Sequence, residues 1–272
     1  MNQGASRDAL AAAAAELEQV IESDRADTDA LGDELFAVGR LLSRQTALRR
    51  ALWDRSRSGT DRAGLLDTML SAQLSDPTRK VLRTAVGQRW ASPRDLADAV
   101  EDLAVRAVVA SADQAGALDR LEDELFRFRR IMVGDQDLRS ALTGEVDADR
   151  KSALLDALIG GGKVADQTRT LIDQAVLARS SRNVEHTLER YSGVAAARRE
   201  RLVAHVRSVT DLTAEQRDRL TAALSRMYGR SVALNVEIDA TVLGGLAVRL
   251  GDEVVDATVL ARLDEARRRL AG

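Results

Sequence analysis

Apolar residues return every three or four positions through most of the first 195 residues, the period of helices that bury one face. Leu10, Ala14, Leu17 and Ile21 share a face of a first helix over residues 8–22, and Asp24 to Asp29 reads as a loop or a helix start. From Leu31 a series of amphipathic helices follows, broken at Ser56–Gly59, at Ser75-Asp76-Pro77 and at Ala91-Ser92-Pro93. Asp76 and Ser92 are each placed to cap a helix whose first turn holds the proline. The helix from Pro93 is expected to run to about Phe128, with a bend near Gly116.

Beyond Arg190 the period shortens to two. Leu202, Ala204 and Val206 share a face of a strand over 201–209. Thr213-Ala-Glu-Gln216 is a capping box opening a helix with Leu220, Leu224 and Met227 on one stripe and an end at Gly229. Val232, Leu234, Val236 and Ile238 then alternate with Ala233, Asn235 and Glu237. After Gly244-Gly245, Leu246, Val248 and Leu250 share a face, and Gly251-Asp252-Glu253 makes a tight turn into Val254-Val255. The adjacent glycines let the backbone bend, or approach another segment, where a Cβ would clash. Asp256 or Thr258 caps a last helix with Val259, Leu263, Ala266 and Leu270 inward. These elements predict a mainly α protein with a small α+β C-terminal domain, in which a little sheet packs on helices. The expected divisions are 1–115, 116–195 and 196–272.

The helical part also repeats itself. Asp33-Glu34-Leu35-Phe36 returns as Asp123-Glu124-Leu125-Phe126, 90 residues on. Leu48-Arg49 and Ala51-Leu52 return as Leu138-Arg139 and Ala141-Leu142 at the same spacing. Asp61-Arg62 and Leu65-Leu66-Asp67 answer to Asp149-Arg150 and Leu154-Leu155-Asp156, slightly out of step. Asp76, Thr78 and Arg79 match Asp166, Thr168 and Arg169 back at 90. The same spacing on both sides of a small gap indicates an internal duplication of Leu31–Val86 as Leu121–Val176.

Composition narrows the function. The 272 residues are 45% hydrophobic and 31% charged, as in a soluble globular protein. A net charge of -3 argues against a nucleic-acid surface. The absence of cysteine removes disulfide and thiolate chemistry and fits a cytosolic setting. No run approaches the roughly eighteen apolar residues needed to cross a bilayer.

Catalytic chemistry is poorly represented. Gly160-Gly161-Gly162-Lys163 superficially suggests phosphate binding, but it follows a helical pattern and Val164 stands where a P-loop carries Ser or Thr. A flexible helix connection is the better reading. His186 and His205 lack a partner at metal-ligand spacing, so no metal site is expected. Asp123-Glu124 and Asp252-Glu253 are adjacent pairs; the first recurs in the repeat and is read as capping or solvating a helix. The basic run Arg262, Arg267, Arg268 and Arg269 suits a helix C-terminus, or else a docking surface for an acidic partner or the membrane face. No cofactor is implied, and catalysis by this chain alone is not expected.

The order Ile238-Asp239, Val242, Gly244-Gly245-Leu246, Val248-Arg249, Gly251-Asp252, Val255-Asp256, followed by a basic helix, resembles the C-terminal signature of the δ subunit of F-type ATP synthases. The mitochondrial relative is the oligomycin-sensitivity-conferring protein. The resemblance covers about Leu118 to Leu270, with residues 8–22 as the family's first helix and 28–115 as an insertion like that of the enlarged actinobacterial form. In some species that form is fused to a membrane-anchored b-type subunit; this chain looks like the free-standing version.

The resemblance implies a non-catalytic part of the peripheral stalk at the cytoplasmic face of the bacterial plasma membrane, without membrane insertion of its own. It implies two partners. The N-terminal segment of an α subunit would lie in an apolar groove, for which Leu10, Ala14, Leu17 and Ile21 are the candidate wall. A b-type stalk subunit would meet the C-terminal domain, where Ile238, Asp239, Gly244, Gly245, Arg249, Gly251 and Asp256 carry the signature. A free-standing helical-repeat adaptor would also explain the duplication, but not the Gly-Gly hairpin.

Overall fold

The computed structural model describes the chain except for residues 1–2, 24–25, 145–146, 178–183, 200–201, 211, 229–231, 240–245, 251–252 and 257–272. It separates into two compact units, one ending at Arg198 and the other starting at Arg199.

The first unit is all helical: α1 (Gln3–Ser23), α2 (Thr28–Arg44), α3 (Thr46–Trp53), α4 (Gly59–Leu70), α5 (Asp76–Gly87), α6 (Pro93–Gln114), α7 (Leu118–Gly134), α8 (Gln136–Thr143), α9 (Ala148–Ile159), α10 (Asp166–Leu177) and α11 (Val184–Arg199). One continuous apolar cluster runs through it, from Ala9 to Ala195. Local chemistry sets the boundaries. Asp27 accepts from the backbone N–H groups of Asp29 and Ala30 to start α2, and Ser58 and Asp61 form a reciprocal capping box at α4. Ser92 caps α6 through Asp95 N, with Pro93 in the first turn, as expected.

Two expectations change. The cap of α5 is Ser75, not Asp76, which lies inside the first turn. The single helix expected from Pro93 to about Phe128 is two. Gly116 adopts φ 66° and Ala117 N donates to Ala112 O at 2.7 Å, so a Schellman-type closure ends α6 and the chain turns into α7.

The duplication is visible in the helix bounds. α7 and α8 begin and end 90 residues after α2 and α3, and α10 stands at the same distance from α5. α9 follows α4 by 89, because the loop before it is one residue shorter and the loop after it one longer. A further pair emerges: α6 begins 90 residues after α1, and α11 begins 91 after α6. Helix α6 therefore closes the first copy (α1–α6) and opens the second (α6–α11). It packs against α1, α2, α3 and α5 on one side of this division and α7 and α10 on the other. Its sequence fits that double duty, since Leu103, Ala104, Val105, Ala107, Val108, Val109 and Ala110 are all buried, with Arg106 the one half-buried residue among them. Small residues allow close approach: a Cβ on Gly32 of α2 would fall 2.7 Å from Val108 Cγ2.

The second unit is α+β. A βαβ turn of β1 (Leu202–Ser208), α12 (Ala214–Tyr228) and β2 (Val232–Ile238) is followed by β3 (Leu246–Leu250) and β4 (Glu253–Asp256). The sheet order is β2-β1-β3-β4, with β1 and β2 parallel and the other pairs antiparallel. Leu250 pairs with Glu253, so β3 and β4 form the expected hairpin. The capping box of α12 is present: Thr213 N donates to Gln216 Oε1 and Gln216 N to Thr213 Oγ1. Ala204, Val206, Leu224, Val232, Leu234 and Val248 form the core of this unit. Met227, expected on the inner stripe, is 68% exposed, because Tyr228, one turn past Leu224, takes the inward position. Ile238 is 63% exposed at the end of β2, beyond the cluster that covers Val232 and Leu234. The last helix expected after Asp256, with its basic run, lies outside the described residues.

Candidate docking surfaces

The four residues proposed for a groove wall divide in two. Leu17 and Ile21 are buried in the core, whereas Leu10 and Ala14 are half-buried and reach the surface. Helix α1 is fastened on both flanks. Thr84 Oγ1 of α5 donates to Glu16 Oε2 at 3.3 Å and Lys80 Nζ lies 3.4 Å from Glu16 Oε1. Arg198 of α11 bridges Glu18 and Asp113, at 3.1 and 2.8 Å. The accessible surface of α1 is thus apolar at Leu10 and Ala14 and charged at Glu16, where it meets α5.

In the second copy the helix equivalent to α1 is α6, which has no comparable free face. Asp29 of α2 reaches Gln167 of α10 at 3.4 Å, and the same amide donates to Ser111 of α6 at 3.0 Å. Helix α2 of the first copy lies against Val100 and Ala104 of α6, the counterparts of Leu10 and Ala14 in α1.

A carboxylate at the same repeat position organises each copy, a role not foreseen in detail from sequence. In the second copy Glu124 of α7 is buried and accepts from Ala165 N at 2.9 Å, Thr168 Oγ1 at 2.7 Å and Arg120 Nε at 2.7 Å, so it caps α10 from another helix. Burial pushes its carboxyl pKa up, but the bonds from Thr168, Ala165 and Arg120 outweigh this and hold it below the ordinary value. In the first copy Glu34 accepts from Ser75 N at 3.0 Å and Ser75 Oγ at 2.8 Å, capping α5 in the same way, with Thr78 Oγ1 3.1 Å from that hydroxyl. The recurring Asp-Glu-Leu-Phe and Asp-x-Thr-Arg strings were the sequence signal, since they are the two ends of one bond.

The triple glycine serves a helix end. Gly160 N closes α9 onto Asp156 O, Gly161 and Gly162 adopt φ 70° and 76°, and Lys163 Nζ donates to Ala157 O at 3.1 Å. The lysine is thus engaged by a helix C-terminus. His186 is exposed on α11, and the side chain of His205 lies outside the described residues. Among the described residues there is no group of three or more metal-ligating side chains, and no helix is long and apolar enough to cross a membrane.

In the second unit, the register brings several signature residues to one end of the sheet. Ile238 pairs with Ser208, Ser208 with Leu246, and Ala247 with Asp256. Asp239 N donates to Ser208 O at 2.8 Å, and the Asp239 carboxylate lies 3.4 Å from Arg207. Arg249 sits farther along β3, opposite His205 and Val254, and is exposed. Gly244, Gly245 and Gly251 lie outside the described residues, as do the side chains of Leu250 and Asp256. An open pocket of about 570 Å³ lies at this end, lined by Ser208, Thr210, Leu212, Gln216, Arg219, Leu220 and Leu246. It sits where crevices form in α/β units, outside the carboxyl ends of parallel strands. The loop residues Thr210 and Leu212 carried no periodic signal in the sequence.

A family model described as ATP synthase delta (OSCP) subunit matches residues 104–270. The match begins inside α6, so α6, rather than the helix expected over 8–22, heads the matched region. Among similar proteins, the ATP synthase subunit delta of Kineococcus radiotolerans is 44% identical over 272 residues, covering 100% of this chain and 99% of the relative. That of Streptomyces griseus is 44% identical over 269 residues, with 98% and 99% covered. That of Thermobifida fusca is 42% identical over 271 residues, with 99% and 100% covered. These relatives therefore match the first copy as well as the second. The chain belongs to the ATP synthase delta (OSCP) family.

Proposed function

We propose that this chain is the non-catalytic δ subunit of a proton-translocating F-type ATP synthase, a stator component tying the catalytic head to the membrane sector at the cytoplasmic face. Rotation of a central stalk exerts torque on the head, which must be held or it would turn with the rotor. A tether needs packed, stiff elements and broad contacts rather than reactive groups. The observation carrying this reading is helix α6, largely buried and shared by both copies, which joins them without a linker. The relatives' names and full-length coverage support the same assignment over a free-standing adaptor.

Two partners follow from this reading. The N-terminal segment of the α subunit docks beside α1, on Leu10 and Ala14 with Leu17 and Ile21 behind them. That choice is supported by the equivalent surface of the second copy being occupied by α2. A b-type stalk segment meets the second unit through the signature residues Ile238, Asp239, Gly244, Gly245, Arg249, Gly251 and Asp256.

The test is calorimetric titration of the purified chain with a peptide from the start of the cognate α subunit. Saturable one-to-one binding is expected, weakened about tenfold or more by Leu10→Asp, a change at a half-buried position that leaves the core intact. Tight binding indifferent to Leu10→Asp would exclude the α1 surface, and no binding by the folded chain would exclude this partner.

A further inference from the structure

Seven large apolar side chains stand exposed among the described residues, and three of them, Phe126, Ile131 and Val133, lie on α7. Phe126 and Val133 are seven residues apart and share a face. The duplication supplies an internal comparison. Phe36, the counterpart of Phe126, is 2% exposed, whereas Phe126 is 48% exposed and Val133 58%. In the first copy this face of α2 is covered by α6, which approaches closely because Gly32 carries no side chain in its way. In α7 the positions of Gly32 and Gly39 are held by Glu122 and Arg129, too bulky for the same approach.

The second copy thus keeps the apolar residue but has replaced the small residues that let the molecule cover it. Polar groups frame the patch. The Arg129 guanidinium lies 6.0 Å from the Phe126 ring centroid and 3.9 Å from Glu189. Arg127 pairs with Asp123 at 2.6 Å, and Arg130, four residues past Phe126, is exposed and makes no hydrogen bond or ion pair among the described residues.

We propose that this face of α7 receives an amphipathic α-helix from another subunit of the complex, its apolar stripe on Phe126 and Val133 and a carboxylate beside that stripe paired with Arg130. A helix is the fitting occupant because the equivalent face of α2 already carries one. An acidic flank suits the patch because Arg130, without a partner among the described residues, carries a guanidinium, which favours carboxylates. The proposal rests on the stator reading and adds a contact on the second copy, distinct from the one at α1.

The chain has no cysteine, so Val133→Cys carries a single thiol at an exposed position. Its maleimide labelling is compared in the free chain and in purified ATP synthase containing the variant, read by mass spectrometry of the α7 peptide, with Met69→Cys on α4 labelled in parallel. Labelling at position 133 is expected to slow about tenfold or more on assembly, as a side chain enters an interface core. In a second complex, p-benzoylphenylalanine in place of Phe126 is expected to cross-link to an acid-bearing helical segment of another subunit. Unchanged labelling in an assembled complex would overturn this proposal while leaving the stator reading standing. Cross-links to a second copy of this chain, to its own second unit, or to a basic or non-helical segment would also overturn it. Failure of the folded chain to enter the complex at all would overturn both.

Discussion

Replacing Glu124 by Ala separates the two copies energetically, although their capping geometry is the same. Glu124 is buried, and it holds the backbone N–H of Ala165, the fully buried Thr168 hydroxyl and the Arg120 guanidinium. Each hydrogen bond to a charged group is worth about 1.5–3 kcal/mol, and a buried donor left alone costs about 1–3 kcal/mol. The Arg120 side chain is 56% exposed, so its ion pair is screened and adds little. These effects overlap, and the expected loss for Glu124→Ala is about 3 kcal/mol.

Glu34→Ala removes the corresponding cap, but Glu34 is half-buried and Ser75 is exposed, so water replaces the carboxylate. That loss is expected at about 1 kcal/mol, the usual scale of an exposed helix cap. Urea titrations of the full chain, followed by far-UV circular dichroism, measure both. pH supplies an independent arm. Since the native carboxyl of Glu124 has a lowered pKa, its contribution is complete above the ordinary glutamate value of about 4.3 and is lost as pH falls through the native value. The stability gap between wild type and Glu124→Gln should therefore be full at neutral pH and narrow in acid. Equal losses for the two alanine variants, or a gap that widens in acid, would refute the assignment of burial as the distinguishing cause.

Two further perturbations probe packing. Gly32→Ala gains about 1 kcal/mol of helix propensity but overpacks the α2–α6 contact at Val108, at a cost of about 1–3 kcal/mol, so net destabilisation is expected. In a Val108→Ala background the same change should instead stabilise, and chemical denaturation of the four proteins in the cycle reads the reversal. Arg62 is buried without a carboxylate, donating to Asp54 O, Val86 O, Gly87 O and Gln88 O, so Arg62→Met should cost about 3 kcal/mol by thermal or urea unfolding. Lys151, which the 89-residue offset of α9 puts at this position in place of the Arg150 matched in sequence, makes no such bonds among the described residues, and Lys151→Met should shift stability by less than about 1 kcal/mol.

Much of the fold was readable from residue order because it is decided locally. The proline-led start of α6, the Thr213–Gln216 box and the alternation in β1, β2 and β3 are each set by neighbours within a few residues. The break between α2 and α3 at Gln45 was not readable, since no proline or glycine marks it. There Arg49 reaches back to Leu42 O and Ser43 O, satisfying carbonyls that end α2. The inward choice of Tyr228 over Met227 likewise depended on how α12 meets β2, which one helix's periodicity cannot decide. The docking surfaces were the least legible part. Leu10, Ala14, Leu17 and Ile21 are equivalent on a helical wheel, and only the packing of α5 and α6 against α1 divides buried from accessible among them.

The sharing of α6 has a consequence for how such a subunit can be enlarged. A duplication joined by a loop would add a hinge, and a stator with a hinge stores less of the rotor's work and loses more in bending. Here the seam between copies is the interior of a helix, so enlarging the molecule by one copy takes five new helices rather than six and adds no swivel. Growth by an overlapping helix allows a load path to be extended while remaining, along its first 198 residues, a single piece of continuous core.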